Sequence, residues 1–361
     1  MSDNPNEAEE KMAKAIFISA DCWLCVFELL PPRKLGLGIS MISHRFDFYV
    51  DEHFKTRKWA LKCIGIRRKM GKNGTKQIEI IKYFDGKPLP IPQIQMPRKV
   101  IGFERIDICF IDRNAIAFLH RFFSVFANFS PNVQLGNLNI SMTSDRILEF
   151  ILRNIWPMLA KNICGMFLFV NVLHRLRKFV PSILNDCPSL RVVFTNFDEC
   201  FVEFPCDDNA MASDGQAVAK WLFTPRPDGV PKVFKCLIRP HDGNWSSKIE
   251  ASKAAFASAS SPVNFIIVIL FPLSFAVSDL PFDLTNELTR EQLALKRINN
   301  THRFLLIRCP IARDESKWTK WEEEAIGWRI CNQWNAIFIQ ITDENKIGDG
   351  LLDTIPGPSD H

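Results

Sequence analysis

The chain has 361 residues, of which 47% are hydrophobic and 24% charged, a balance that sets aside fibrous and disordered polypeptides and fits a globular protein. A net charge of +5 is too small for the concentrated basic face that phosphate backbones demand, so nucleic acid is not the expected partner. The length allows two domains, or one large domain with a small module attached.

Residues 1–14 are polar and acidic, with no signal-peptide pattern, and are expected to form a disordered tail. From residue 18 the chain turns apolar: ISADCWLCVFELLPPRKLGLGISMISHRF. Trp23, Leu24, Phe27 and Leu30 recur at helical spacing, with Asp21 near the start, so ADCWLCVFELL predicts an amphipathic helix. Pro31 and Pro32 stop it, because neither ring has a backbone N–H to donate. Leu35, Leu37, Ile39, Met41, Ile42 and Phe46 then restart an apolar pattern around Gly36 and Gly38. Two or three short helices bent around a proline cannot bury that much apolar surface themselves. Something else must cover it. VDEHFKTRKW, residues 50–59, predicts a closing helix.

Two alternating segments, residues 61–66 and 77–84, flank MGKNGTK, whose Asn73-Gly74 signals a hairpin turn. GIRRKMGKNGTK is not a phosphate loop: one residue too many separates Gly65 from Gly71, and Asn73 stands where a hydroxyl should hold magnesium. DGKPLPIPQIQMPRK, with four prolines, predicts an extended connector.

Beyond residue 100 the rhythm changes. Strand-like apolar segments at 105–111, 133–140, 163–170, 190–197, 232–238, 263–270, 303–309 and 335–342 alternate with amphipathic helices. NAIAFLHRFFSVF sets Ile116, Leu119, Phe123 and Phe126 on one face. SDRILEFILRNIWPML aligns Ile147, Ile151 and Ile155, with Ser144 as cap and Pro157 as kink. VLHRLRKFVPSIL follows, and then SDGQAVAKWLF opens on a capping box of Ser213 and Gln216. Repeated β-then-α implies parallel strands, since each return crossover needs a helix. Such units build a doubly wound sheet or stack into a curved solenoid. CPSLRVV is similar to an irregular leucine-rich repeat. The run VNFIIVILFPLSFAV is too short for a bilayer of about 30 Å and carries Pro272, so it predicts a buried strand and no membrane association.

No catalytic constellation is legible: there is no Gly-x-Ser-x-Gly elbow, no dinucleotide fingerprint after a strand and no paired-histidine metal motif. The seven histidines are dispersed, and His120 and His174 fall on amphipathic helices. Asp207-Asp208 reads as a solvated acidic loop. The 11 cysteines are odd in number and sit mostly in apolar runs, as reduced buried thiols do. Cys22 and Cys25 form a CxxC with no second pair, so no metal and no cofactor are expected. Reduced cysteines without a leader point to cytoplasm or nucleus. Trp318, Trp321 and Trp328 stand near helical spacing and predict core packing, with a binding face as the alternative. Residues 346–361 predict a flexible tail.

Residues 18–46 resemble an F-box, the helical module that joins a protein to an SCF-type ubiquitin ligase. Ile18-Ser19 stands at the family's Leu-Pro step and Asp21 at its acidic position. Leu24, Val26-Phe27, Leu30-Pro31-Pro32, Leu35 and Ile42-Ser43-His44-Arg45-Phe46 follow in the family's order. Ser19 replaces the usual proline, Phe46 replaces the usual tryptophan, and the Leu35 to Ile42 interval is one residue longer. GLGISMISHRF, VDEHF and IPGPSD are similar to the divergent F-box families of nematodes. The resemblance implies an α/β protein with an all-α F-box module at 15–59, a hairpin and connector at 60–99, and a leucine-rich-repeat-like βα domain at 100–345. It further implies a Skp-family linker docked on Leu24, Val26, Phe27, Leu30, Pro31, Pro32, Leu35, Ile42 and Phe46. Through that linker would come a cullin, and the βα domain would hold an unidentified protein substrate, with no bond chemistry of its own. The alternatives are a βα-repeat scaffold without ligase attachment, an N-terminal helical hairpin packed on its own domain, and an α/β enzyme of unrecognised chemistry.

Overall fold

The computed structural model describes residues 18–30, 34–56, 59–70, 76–82, 88–90, 100–126, 133–138, 144–169, 171–195, 201–238, 245–271, 281–298 and 302–354. The expected N-terminal tail, Pro31, Pro32, the Asn73-Gly74 turn and most of the proline-rich connector lie outside them. The chain divides into two units, one ending at Trp59 and one starting at Ala60.

In the first unit, helix α1 (Ala20–Glu28) is capped by Ser19, whose hydroxyl accepts from the Cys22 amide at 3.4 Å. Asp21 falls in the first turn, where its charge complements the exposed N–H groups. A π-helical turn (Leu35–Ile39) and a 3-10 turn (Ser40–Ile42) follow. Helix α2 (His44–Thr56) begins six residues before the predicted closing helix. Phe27, Leu35 and Val50 are its buried core. Trp23, Leu24, Leu30, Ile39, Phe46, Tyr49 and Phe54 pack around that core and remain half-exposed. His53 is also buried, edge-on to Phe27 at 5.8 Å.

The second unit is a mixed α/β fold built on one sheet. Its strands are β1 (Trp59–Met70), β2 (Lys76–Lys82), β3 (Pro88–Pro90), β4 (Val100–Ile108), β5 (Val133–Leu138), β6 (Ile163–Leu168), β7 (Val192–Thr195), β8 (Lys232–Leu237), β9 (Phe265–Leu270), β10 (Phe282–Asn286), β11 (Glu291–Arg297), β12 (Arg303–Pro310) and β13 (Ala336–Ile339). They lie in the order β10-β11-β12-β9-β8-β7-β6-β5-β13-β4-β1-β2-β3. The strands from β9 to β4 in that order are all parallel. Antiparallel pairs flank them on both sides.

Helices supply the parallel crossovers, as the alternation predicted. They are α3 (Arg113–Phe126), α4 (Asp145–Asn154), α5 (Trp156–Leu159), α6 (Val172–Phe179), α7 (Asp214–Leu222) and α8 (Trp245–Ala257). Ser144 caps α4, and Ser213 with Gln216 closes the expected capping box on α7. The α4 hydrogen bonding breaks at Ile155, because Pro157 has no N–H to return toward Arg153. Along α3 the buried stripe is Ala115, Phe118, Leu119, Phe122 and Phe123, which shares only part of the predicted face.

A ninth helix, α9 (Glu315–Gly327), lies on the opposite side of the sheet from α7 and α8. Val192, Val233, Ile266, Val268, Leu305 and Ile307 pack with Trp318, Ala325 and Trp328 of the α9 segment. Their neighbours along each strand point the other way. Lys232 reaches the Trp221 carbonyl at the end of α7. The Arg308 guanidinium lies over Phe223 at 5.5 Å and Phe256 at 5.2 Å.

Two expectations are corrected. The strand at 303–309 was expected to be parallel, but β12 runs antiparallel to β9. The β10–β11 connection spans only residues 287–290, too short for a crossover, and this meander reverses the direction. The final strand, β13, inserts between β4 and β5, a placement on which the sequence is silent. Asn335, at φ 57°, seats it there: its amide donates to the Phe103 carbonyl at 2.6 Å and its Oδ1 accepts from the Phe103 amide at 2.8 Å. Finally, residues 346–354 of the expected tail are folded. Gly348 donates to the Ile111 carbonyl at 2.7 Å, Asp349 accepts from the Arg113 amide at 3.1 Å, and Arg146 donates to the Leu352 carbonyl at 2.8 Å. Among the described residues no helix is long and apolar enough to cross a membrane.

Candidate partner-docking surfaces

Helix α1 is apolar on two faces. Trp23, Leu24, Phe27 and Leu30 turn toward the unit's own core, as their spacing predicts. The opposite stripe carries Cys22, Cys25, Val26 and Leu29, the i, i+3, i+4, i+7 set of a second face, and all four are exposed. Leu29 at the helix end is 85% exposed and Val26 44%. Met41 and Ile42, in the 3-10 turn, are 79% and 62% exposed. Asp21 and Glu28 form an exposed acidic strip between the two apolar faces.

The nine residues predicted to meet a linker separate on this basis. Val26 and Ile42 are exposed, and Leu24, Leu30 and Phe46 are half-buried. Phe27 and Leu35 are wholly buried in the unit's core. Their burial follows from the strongest helical periodicity, which turns a stripe inward. Pro31 and Pro32 lie outside the described residues. Leu29, Met41, Phe48 and Ile18 are exposed as well, and periodicity overlooked Leu29 because it follows the inward stripe.

Two adjoining clefts open in the second unit, with Gln333 in the wall of both. The larger, about 560 Å³, lies between the starts of β7 and β8 and the end of α9. Arg191 donates to Glu324 at 3.1 Å on its rim, and Arg226 pairs with Asp228 at 2.6 Å. The indole N–H of Trp328, which lines the same cleft, is buried without a hydrogen-bond partner. The smaller, about 340 Å³, holds Arg105 stacked 3.8 Å over the Phe338 ring and paired with Asp107 at 2.8 Å. Trp334, 57% exposed, stands at its edge. Of the four C-terminal tryptophans, Trp318 and Trp328 are core, and Trp334 alone is largely exposed.

The buried charges of this unit hold structure together. Lys235 donates to the carbonyls of Ile326 at 2.8 Å and Trp328 at 3.2 Å, closing the C-terminal end of α9. Burial pushes the Lys235 and Lys232 ammonium groups down to about 8. Arg177, also buried, ties the loop before α7 to α6 through Asp214 at 2.8 Å and the carbonyls of Asn209 and Ala212. Asp207 and Asp208 are engaged by Asn209 and Asn185. Among the described residues no cluster of three metal-ligating side chains occurs. The ten described cysteines are thiols, none in a disulfide.

Comparison of the chain with family models, with curated proteins and with solved structures returns no match.

Proposed function

We propose that this chain is a substrate-recognition adaptor of an SCF-type ubiquitin ligase. The observation that carries the reading is the outward stripe of α1: Val26 and Leu29, with Met41 and Ile42 nearby in sequence, leave an apolar helix face without a cover inside its own unit. A Skp-family linker is the cover that the F-box resemblance implies. The second unit then presents the protein to be ubiquitinated, with the cleft pair around Gln333 and the exposed Trp334 as the surface for its segment. An adaptor performs no bond chemistry. It raises the concentration of target lysines beside the conjugating enzyme, an effective-concentration effect.

Co-expression with a Skp-family linker and a cullin tests the proposal. Co-purification of both supports it, with the cullin retained only when the linker is present. A chain that elutes alone, folded, supports the scaffold reading instead.

A further inference from the structure

Cys22 and Cys25 stand one helical turn apart on the same exposed stripe as Val26 and Leu29. Residues so spaced have Cβ atoms about 5–6 Å apart, against about 3.5–4.5 Å in a disulfide. The difference can be absorbed at Cys22, whose amide is held by the Ser19 hydroxyl at 3.4 Å, a long and therefore weak bond. Ser19 already engages the first sulfur: its hydroxyl donates to Sγ of Cys22 at 3.2 Å. Elsewhere among the described cysteines only Cys331 is exposed. Burial pushes the Cys187 thiol up to about 12 and raises those of Cys63, Cys109, Cys206 and Cys309.

We propose that Cys22 and Cys25 form a reversible dithiol–disulfide site that reacts with low-molecular-weight disulfides of the oxidised-glutathione class, and that its closure weakens docking on the α1 stripe. The second half rests on the adaptor reading, whereas the first does not. In the first step the Cys22 thiolate attacks one sulfur of the small disulfide and expels the other half as a thiolate, which takes up a proton. In the second, Cys25 gives up its proton and attacks the Cys22 sulfur, releasing the remaining half in the same way. The protein loses two electrons and two protons, and the small disulfide becomes two thiols. Trp23 and Leu24 lie between the cysteines, and the Trp23 ring meets Phe46 edge-on at 4.8 Å. Drawing the sulfurs together therefore twists the turn that seats Trp23 and redirects the outward stripe.

The test uses the full chain, incubated with oxidised glutathione, alkylated and digested with trypsin. The peptide of residues 15–33 carries Cys22 and Cys25 and no other cysteine. It should be recovered unalkylated and two hydrogens lighter, and dithiothreitol should reverse the change. Cys22→Ser and Cys25→Ser should each stop at a glutathione adduct on the remaining thiol. A wild-type peptide that is doubly alkylated, or that carries two glutathiones, overturns the site. Linker affinity of the closed form should fall about tenfold or more, the equivalent of one lost apolar contact. A closed disulfide with unchanged linker affinity overturns the switch and leaves the site. A reduced chain that never binds the linker removes the adaptor reading, while the disulfide result stands on its own.

Discussion

The Trp23 indole meets the Phe46 ring edge-on, with centroids 4.8 Å apart and planes at 84°. This contact ties the first turn of α1 to α2 and fixes which side of α1 faces outward. Phe46 supplies the α2 side of that contact.

Replacing Phe46 with alanine removes one side of that contact. A fully buried phenylalanine costs about 3–5 kcal/mol to truncate, and Phe46 is half-exposed, so about half of that is expected. Amide hydrogen exchange across α1 should quicken by about tenfold or more. Unchanged exchange would show that the contact does not hold the helix.

Arg308 and Glu291 form an ion pair at 2.6 Å, with each side chain 1% exposed. The pair is well satisfied, since Glu291 also accepts from the Val263 amide at 2.7 Å and Arg308 donates to the Ser261 carbonyl at 2.9 Å. Arg308→Ala strands a buried carboxylate and should cost about 3–5 kcal/mol by urea denaturation. The double variant Glu291→Leu with Arg308→Met leaves no lone charge, only the orphaned amide and carbonyl, and should lose less than Arg308→Ala. A double variant as damaged as the single one would mean that the charges themselves stabilise the sheet.

Lys232 and Lys235 give the second unit a defined alkaline response. Burial lowers each from 10.5 to about 8 in the folded chain. Between those values the folded lysines are neutral while the unfolded ones still hold protons. The unfolded state thus binds more protons, and stability contributed by these groups climbs with pH. Below pH 8 both states are protonated and the cost of burying the charge is fully present. Relative to Lys232→Met with Lys235→Met, the wild-type chain should gain up to about 1.4 kcal/mol per pH unit per lysine in that window. Parallel stability curves for the two proteins would refute the assignment.

The sequence disclosed what local rules govern. Apolar runs marked eight strands in their places, and the box at Ser213 and Gln216 marked the start of α7. Long-range order was hidden. Nothing in AIFI says that β13 inserts between β4 and β5, because that choice depends on Phe103 and Asn335, 232 residues apart. The β10–β11 hairpin escaped notice because FDLTN and EQLALKR are half polar and their turn uses Arg290 at φ 53° in place of glycine. Of the outward stripe of α1 the sequence singled out Val26 as a partner contact, while Leu29 escaped for a different reason. The inward set of Trp23, Phe27 and Leu30 is the more apolar, and two of the outward four are cysteines, which also read as buried hydrophobes.

The most direct measurement of the adaptor claim is calorimetric titration of a Skp-family linker into the wild-type chain and into Leu29→Asp. Leu29 is 85% exposed, so the substitution leaves the unit's core intact. Burying a leucine side chain at an interface is worth roughly 1.5–3 kcal/mol, about ten- to a hundredfold in affinity. The account predicts that affinity falls by at least that range while the melting temperature is unchanged. Equal binding by both proteins, or no binding by the wild type, would contradict it.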